Sequence, residues 1–198
     1  MIQISTIAKK LSVFARINKL QKEKVGIKSL LESIIDEYIN HPLYDKIEFP
    51  HSNVMMSEVE PSSKEPSFDS AQDDRNPTDK SQDDIFVDID VTQFKSAFEN
   101  LLNNALEAID ENGYVKINVK KEKDEVIIEM RNSVSQDSTP TSFEVESCLE
   151  RGFSTKGSSG LGVPIAKTII EKHGGTFKIE KVEREFIVKI ILILKDVK

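Results

Sequence analysis

Three amides and one glycine-rich loop carry the groups in this sequence best suited to binding a ligand. Asn100, Asn103 and Asn104 fall in the run Glu99 to Ala105, inside a segment whose apolar residues recur at helical spacing. At 100° per residue, Asn100 and Asn104 lie one turn apart on a flank of the apolar stripe, and Asn103 points away from it. Asparagine competes with the helical backbone for hydrogen bonds and has poor propensity there, so three of them ask for compensation. A neutral side-chain carbonyl at the edge of a cleft can bind Mg²⁺, a hard cation that takes few protein ligands and draws the rest from substrate phosphates. On these residues alone, a solvated polar flank is the alternative.

The loop runs from Arg151 to Gly162. Gly157, Gly160 and Gly162, with Leu161 between the last two, would let backbone N–H groups approach an anion, and the helix that follows would turn its positive end toward a phosphate. Ser154, Thr155 and Lys156 add side-chain donors. The spacing of a Walker loop is absent, and an ordinary flexible connector has the same composition.

Positioning these groups takes a scaffold, and the periodicities supply one. Asp90 with Gln93 forms a capping box that opens a helix over Val91 to Ile109, with core positions at Phe94, Ala97, Phe98, Leu101, Leu102, Ala105 and Ile109. Ile27 to Ile39 carries a second apolar stripe. Period-two runs at Tyr114–Val119 and Glu125–Met130 predict a hairpin, and Thr176–Glu180 with Glu185–Leu194 predict another. Single strands are expected over 45–49 and 85–89, and a helix over Pro164 to His173 is stopped by Gly174 and Gly175. Strands segregated from helices in this order describe an α+β, two-layer α/β sandwich.

Residues 1–24 carry a narrower stripe, Ile4, Ile7, Leu11, Phe14 and Ile17. It suits a helix packed on another helix, in this chain or a partner, or one lying on its own domain. The chain of 198 residues has net charge −7, and residues 57–84 hold nine acids against three bases. That segment, rich in Ser, Asp, Gln and Pro, reads as a disordered acidic insertion. The near-neutral remainder argues against nucleic-acid binding. A lone cysteine, Cys148, and the lack of a leader or a long apolar tract lead us to expect a cytoplasmic protein without membrane contact.

Taken together, the Asn-Leu-Leu-Asn-Asn-Ala run from Asn100, the Gly-Phe-Ser-Thr-Lys run from Gly152, Gly160-Leu-Gly162 and the ending His173-Gly-Gly175 resemble the ATP-binding domain of sensor histidine kinases. That family shares its Bergerat-type fold with DNA gyrase, the large heat-shock chaperone ATPase and MutL. The resemblance covers about Ile27 to Leu194. Upstream, residues 11–16 and 23–31 look like the end of a kinase dimerisation helix and its linker. This implies a partial dimerisation helix over 1–24 and an ATP-binding domain over 25–198.

The resemblance further implies ATP and Mg²⁺ as ligands, with Asn104 holding the metal, Asn100 lying near the triphosphate as a catalytic residue, and Asn103 in the same nucleotide-binding box. Ser154, Thr155, Lys156, Gly157, Gly160, Leu161 and Gly162 would form the phosphate-side lid. The family commonly has Asp-x-Gly-x-Gly after the first hairpin, where this sequence has Asn132, Val134 and Gln136. Asn132 keeps a carbonyl acceptor for adenine without the charge.

The chain has three histidines, His41, His51 and His173, and none has the setting of a phosphoacceptor. The expected reaction is transfer of the γ-phosphoryl of Mg-ATP to a histidine outside this chain. Expected partners are a kinase dimerisation domain, a response regulator, or a second copy through the N-terminal helix. A non-catalytic kinase-like partner and an anti-sigma-type serine kinase are the alternatives. A water-activating ATPase is disfavoured, because the position one turn before Asn104 is Asn100, whose amide is no general base.

Overall fold

The alternating runs pair into one five-stranded sheet in a computed structural model that describes residues 19–50, 84–134 and 161–194. Strands β4 (Val115–Glu122) and β5 (Glu125–Ser133) form the first hairpin, and β6 (Thr176–Val182) and β7 (Glu185–Ile193) the second. β2 (Ile47–Glu48) runs parallel to β4 at one edge, giving the order β2-β4-β5-β7-β6. Every second residue, such as Val126, Ile128 and Met130 on β5, turns to one face and is buried.

Helices α1 (Ile27–Asp36), α2 (Val91–Ala108) and α3 (Gly162–Lys172) cover that face. Phe94 and Phe98, fully buried one turn apart on α2, stack with ring centroids 6.5 Å apart. The opposite sheet face carries ion pairs, among them Arg131 with Glu129 at 2.6 Å and with Glu185 at 3.0 Å. This is the α+β two-layer sandwich that the periodicities predict, and α2 ends one residue from its expected limit.

Three features differ from the sequence reading. Glu23–Gly26 is a strand, β1, and not the end of a helix; it pairs antiparallel with β3 (Phe86–Ile89), Glu23 opposite Ile89. The expected boundary between 24 and 25 therefore falls inside a strand, whose partner lies too far along the chain for local periodicity to reveal it. Helix α1 also stops at Asp36, short of the apolar stripe, and leaves Ile39 62% exposed.

The third difference concerns Asp84, which the sequence reading places at the end of the acidic insertion. Its carboxylate accepts from the backbone N–H groups of Lys28 (2.9 Å), Ser29 (3.1 Å) and Ile85 (2.8 Å). It thus does for α1 what a capping side chain would do, since the N-cap residue Gly26 has none, and it comes from 56 residues beyond Lys28. A Cβ on Gly26 would lie 2.1 Å from Asp84 Oδ2, so the glycine makes room for the cap. Burial favours the protonated form of Asp84, yet the hydrogen bonds from Ser29, Lys28 and Ile85 outweigh it and hold the carboxyl below its ordinary value. Asp84→Ala is expected to cost about 1–2 kcal/mol, measured by urea denaturation at neutral pH.

The stripe at Ile4–Ile17, residues 57–83, Cys148, Ser154, Thr155, Lys156, Gly157 and Gly160 lie outside the described residues. No helix among the described residues is long and apolar enough to cross a membrane.

Candidate functional site

Helices α2 and α3 pack antiparallel, and at one end of the pair the asparagines meet the start of α3. A Cβ built on Gly162 would lie 3.1 Å from Asn104 Nδ2 and 3.5 Å from both Asn104 Oδ1 and Asn100 Oδ1. Both amides therefore converge on the first residue of α3, where a Cβ would crowd the Asn104 amide by a few tenths of an ångström and touch that of Asn100 at ordinary contact distance. Asn100 Nδ2 donates to the Ser96 carbonyl at 2.7 Å. That commits the amide nitrogen to the helix and turns the carbonyl oxygen toward Gly162. This bond is also the compensation that the unfavourable helix propensity of asparagine calls for.

The first helical hydrogen bond of α3 runs from Ile165 N–H to the Leu161 carbonyl at 3.0 Å. The N–H groups of Gly162 and Val163 consequently have no partner within the helix, and Pro164 has none to give. Peptide dipoles add positive character at this end. An anion at the α3 N-terminus beside two amide carbonyls is an arrangement that suits a phosphate and a hard cation together. Among the described residues no cluster of three or more His, Cys, Asp or Glu could hold a metal ion. The amide carbonyls fit Mg²⁺, which accepts neutral oxygen donors and leaves its other positions to phosphate and water. Leu161, half-buried, packs against the core.

Asn103 is not brought to this cluster. It is exposed and hydrogen-bonds the Tyr38 hydroxyl on the opposite flank of α2. Burial and the neighbouring Glu99 push the Tyr38 phenol up to about 12. Glu99 lies on the same flank, 4.0 Å from Lys95 Nζ, and burial raises its carboxyl above the usual value. No carboxylate of the run from Glu99 to Ala105 faces Gly162.

Asn132 comes from the other layer. It is buried on the helix-covered face of β5, between Val115 of β4 and Phe186 of β7, and its Nδ2 donates to the Ser133 carbonyl at 2.9 Å. Its carbonyl is the group it can offer a ligand as acceptor.

A polar node at the far end of the helix pair escaped the sequence reading. The capping box is only half realised. Asp90 Oδ1 accepts from Gln93 N–H at 3.0 Å, as expected, but Gln93 Nε2 reaches Asp90 Oδ2 at 3.0 Å instead of the Asp90 N–H. That N–H is taken by His173 Nε2 at 2.9 Å, while His173 Nδ1 lies 2.7 Å from the Ile169 carbonyl. With a donor at one nitrogen and an acceptor at the other, the ring is neutral and carries its proton on Nδ1. Burial, reinforced by the Lys22 ammonium, lowers the pKa of His173. Gly174, at φ 85°, then ends α3 in the left-handed conformation.

A cavity of about 610 Å³ lies elsewhere, on the charged face of the sheet beside Ile47, Glu48, Lys116 and Arg131. Its charges pair with protein groups, Lys116 with Glu48 at 2.8 Å and Arg131 with Glu129 at 2.6 Å, so it lacks the convergent polar atoms of the Gly162 cluster.

The family model described as the GHKL domain matches residues 89–193. The chain is 30% identical over 111 residues to the probable sensor protein PcoS of Escherichia coli, covering 53% of this chain and 23% of that protein. It is 34% identical over 101 residues to the sensor protein VanS of Enterococcus faecium, covering 50% of this chain and 26% of that one. It therefore spans only a minor part of the length of these relatives. Among solved structures, the nucleotide-free catalytic domain of histidine kinase ThkA matches with TM-score 0.63 at 21% identity, covering 87% of this chain and 95% of that one. Full-length ShkA in complex with AMPPNP matches with TM-score 0.64 at 14% identity, covering 94% of this chain and 35% of that chain. These structures share the fold.

Proposed function

This chain belongs to the GHKL domain family, and we propose that it is the catalytic ATP-binding domain of a sensor histidine kinase. In this reading it transfers the γ-phosphoryl of Mg-ATP to a histidine outside this chain. The observation that carries it is the convergence of Asn100 and Asn104 on Gly162 at the N-terminus of α3. Asn104 would hold Mg²⁺ through its side-chain carbonyl, and Asn100 would border the triphosphate. The metal, when bound, neutralises phosphate charge and orients the γ-phosphoryl. The backbone N–H groups at the start of α3 receive phosphate oxygens, and Asn132 accepts from the adenine amino group. Ser154, Thr155, Lys156, Gly157, Gly160 and Leu161 belong to the phosphate-side lid in this reading.

Transfer, and not hydrolysis, follows from the chemistry of the flank that faces α3. Phosphoryl transfer needs positioning and charge neutralisation more than covalent participation by the protein. Activating water needs a base, whereas Asn100 is an amide and Glu99 is turned toward Lys95 and Tyr38. The acceptor histidine belongs to a dimerisation domain, with a response regulator downstream. The likeness to ThkA solved with its response regulator TrrA, TM-score 0.65 at 18% identity, is in keeping with such a partner.

Thermal unfolding with and without Mg-ATP tests the nucleotide site. At 100 times its dissociation constant a ligand adds about 2.7 kcal/mol, which raises Tm by about 5–10 °C in a chain of this size. The shift is expected with Mg-ATP and is expected to shrink when EDTA removes the metal. No shift at millimolar Mg-ATP would favour the non-catalytic reading.

A further inference from the structure

The carbonyl that receives the Asn132 amide is itself held in place from two sides. Ser133, the last residue of β5, donates its N–H to the Tyr114 carbonyl at 3.1 Å, and its Oγ accepts from the Tyr114 N–H at 3.0 Å. The next peptide is fixed as well, because the Val134 N–H donates to the Arg184 carbonyl, between β6 and β7, at 2.9 Å. In a planar trans peptide the C=O points opposite to the N–H, so that bond also sets the direction of the Ser133 carbonyl. This is the oxygen to which Asn132 Nδ2 donates at 2.9 Å. Half a turn of the amide would break the bond and set Oδ1 against the Ser133 oxygen. Asn132 is therefore locked with Nδ2 toward the backbone and Oδ1 left as the acceptor.

The lock decides which side chain the position can use. The aspartate common there in sensor histidine kinases is the stronger acceptor taken alone, since a hydrogen bond to an ionised group is about twice as strong as a neutral one. At this position it would face the fixed Ser133 carbonyl with a second oxygen, where the amide has a donor. The side chain is 3% exposed, and no lysine or arginine is buried among the described residues to balance a charge. Arg131, its neighbour on β5, lies on the other face of the sheet with Glu129 and Glu185. A carboxylate would thus be buried without a cation, or would have to hold a proton at neutral pH, and either outweighs the gain from charge.

We infer that Asn132 sets the base specificity of this chain through an amide fixed by Ser133, admitting a 6-aminopurine and refusing a 6-oxopurine, and that aspartate cannot take its place. The inference rests on the function proposed above, in which Asn132 meets the base. A 6-amino group brings a donor to Oδ1, whereas a 6-oxo group brings an acceptor that the locked amide cannot turn to meet.

Titration calorimetry with Mg-ATP and with the magnesium complex of inosine triphosphate, whose base carries oxygen in place of the amino group, reads the specificity. The unmutated chain is expected to bind Mg-ATP about 10-fold or more tightly than the inosine nucleotide. Asn132→Ala should bind both weakly and alike, and Asn132→Asp should lose about 10-fold or more in Mg-ATP affinity. Equal binding of the two nucleotides by the unmutated chain, or a preference kept by the alanine variant, would overturn the assignment and leave the nucleotide site standing. An aspartate variant that binds Mg-ATP as tightly as the unmutated chain would overturn the adaptation to an amide. NMR of the unliganded chain tests the lock directly. The Asn132 side-chain amide hydrogens are expected to exchange slowly, and exchange as fast as at an exposed asparagine would overturn it. A chain that bound neither nucleotide would bring down the proposed function and the base specificity with it.

Discussion

Asn104→Ala should abolish the Mg-dependent rise in Tm while leaving the unliganded chain as stable as before. The substitution removes the carbonyl that would ligate the metal and leaves the start of α3 in place. Because the amide is only partly buried and alanine has the better helix propensity, the unliganded protein should change by no more than about 0.5 kcal/mol, upward if at all. Affinity for Mg-ATP should fall about 100-fold or more, equivalent to about 2.7 kcal/mol. Titration calorimetry in the presence and absence of Mg²⁺ separates the metal-dependent part. An unchanged Mg-dependent affinity would sink the assignment of Asn104, and a large loss of unliganded stability would show that the amide is structural.

The largest effect on stability is expected from His173→Leu. Leucine strands the buried Asp90 N–H and deletes the hydrogen bond from Nδ1 to the Ile169 carbonyl. The expected cost is about 2–4 kcal/mol, because a buried donor left without an acceptor loses its hydration with nothing in return. A pH dependence accompanies it. The folded chain holds the pKa of His173 below 6.5, chiefly through burial, so near and below that pH the unfolded chain binds the extra proton more readily. The stability that this group contributes is complete above pH 6.5. It is lost as pH falls below 6.5, until the folded state also takes up the proton.

Protonation would put a second donor opposite the Asp90 N–H and so break that hydrogen bond. His173→Gln, whose amide oxygen can receive the Asp90 N–H, should be less destabilising than leucine and should lack this term. Urea denaturation at pH 7.5 and 5.5 reads both effects. An equal pH dependence in the unmutated chain and the glutamine variant would remove His173 from the account.

The two cases differ in how they could be read beforehand. Asn100 and Asn104 lie four residues apart, and a period of 3.6 puts them on one flank whatever the rest of the chain does. His173 and Asp90 lie 83 residues apart, and nothing in either neighbourhood marks them as partners. The Asp90 cap was legible because Gln93 follows it at the required spacing. The fate of the Gln93 amide was not, because it depends on a histidine that has already taken the Asp90 N–H.

The same division runs through the molecule. Local periodicity was enough for α2, both long hairpins, the segregation of strands from helices and the placing of Asn100 and Asn104 on one flank, since each depends on contacts within a few residues or one hairpin. Tertiary structure alone decided that Glu23–Gly26 is a strand, that Asp84 caps α1, that Asn103 turns to Tyr38 while Asn100 and Asn104 turn to Gly162, and that Gln21 and Lys22 join two helix ends. Backbone N–H and carboxylate groups at chain and helix ends must find partners wherever the fold brings them. Local periodicity records which face of an element is apolar, and it holds no record of which distant polar group will complete that element's end.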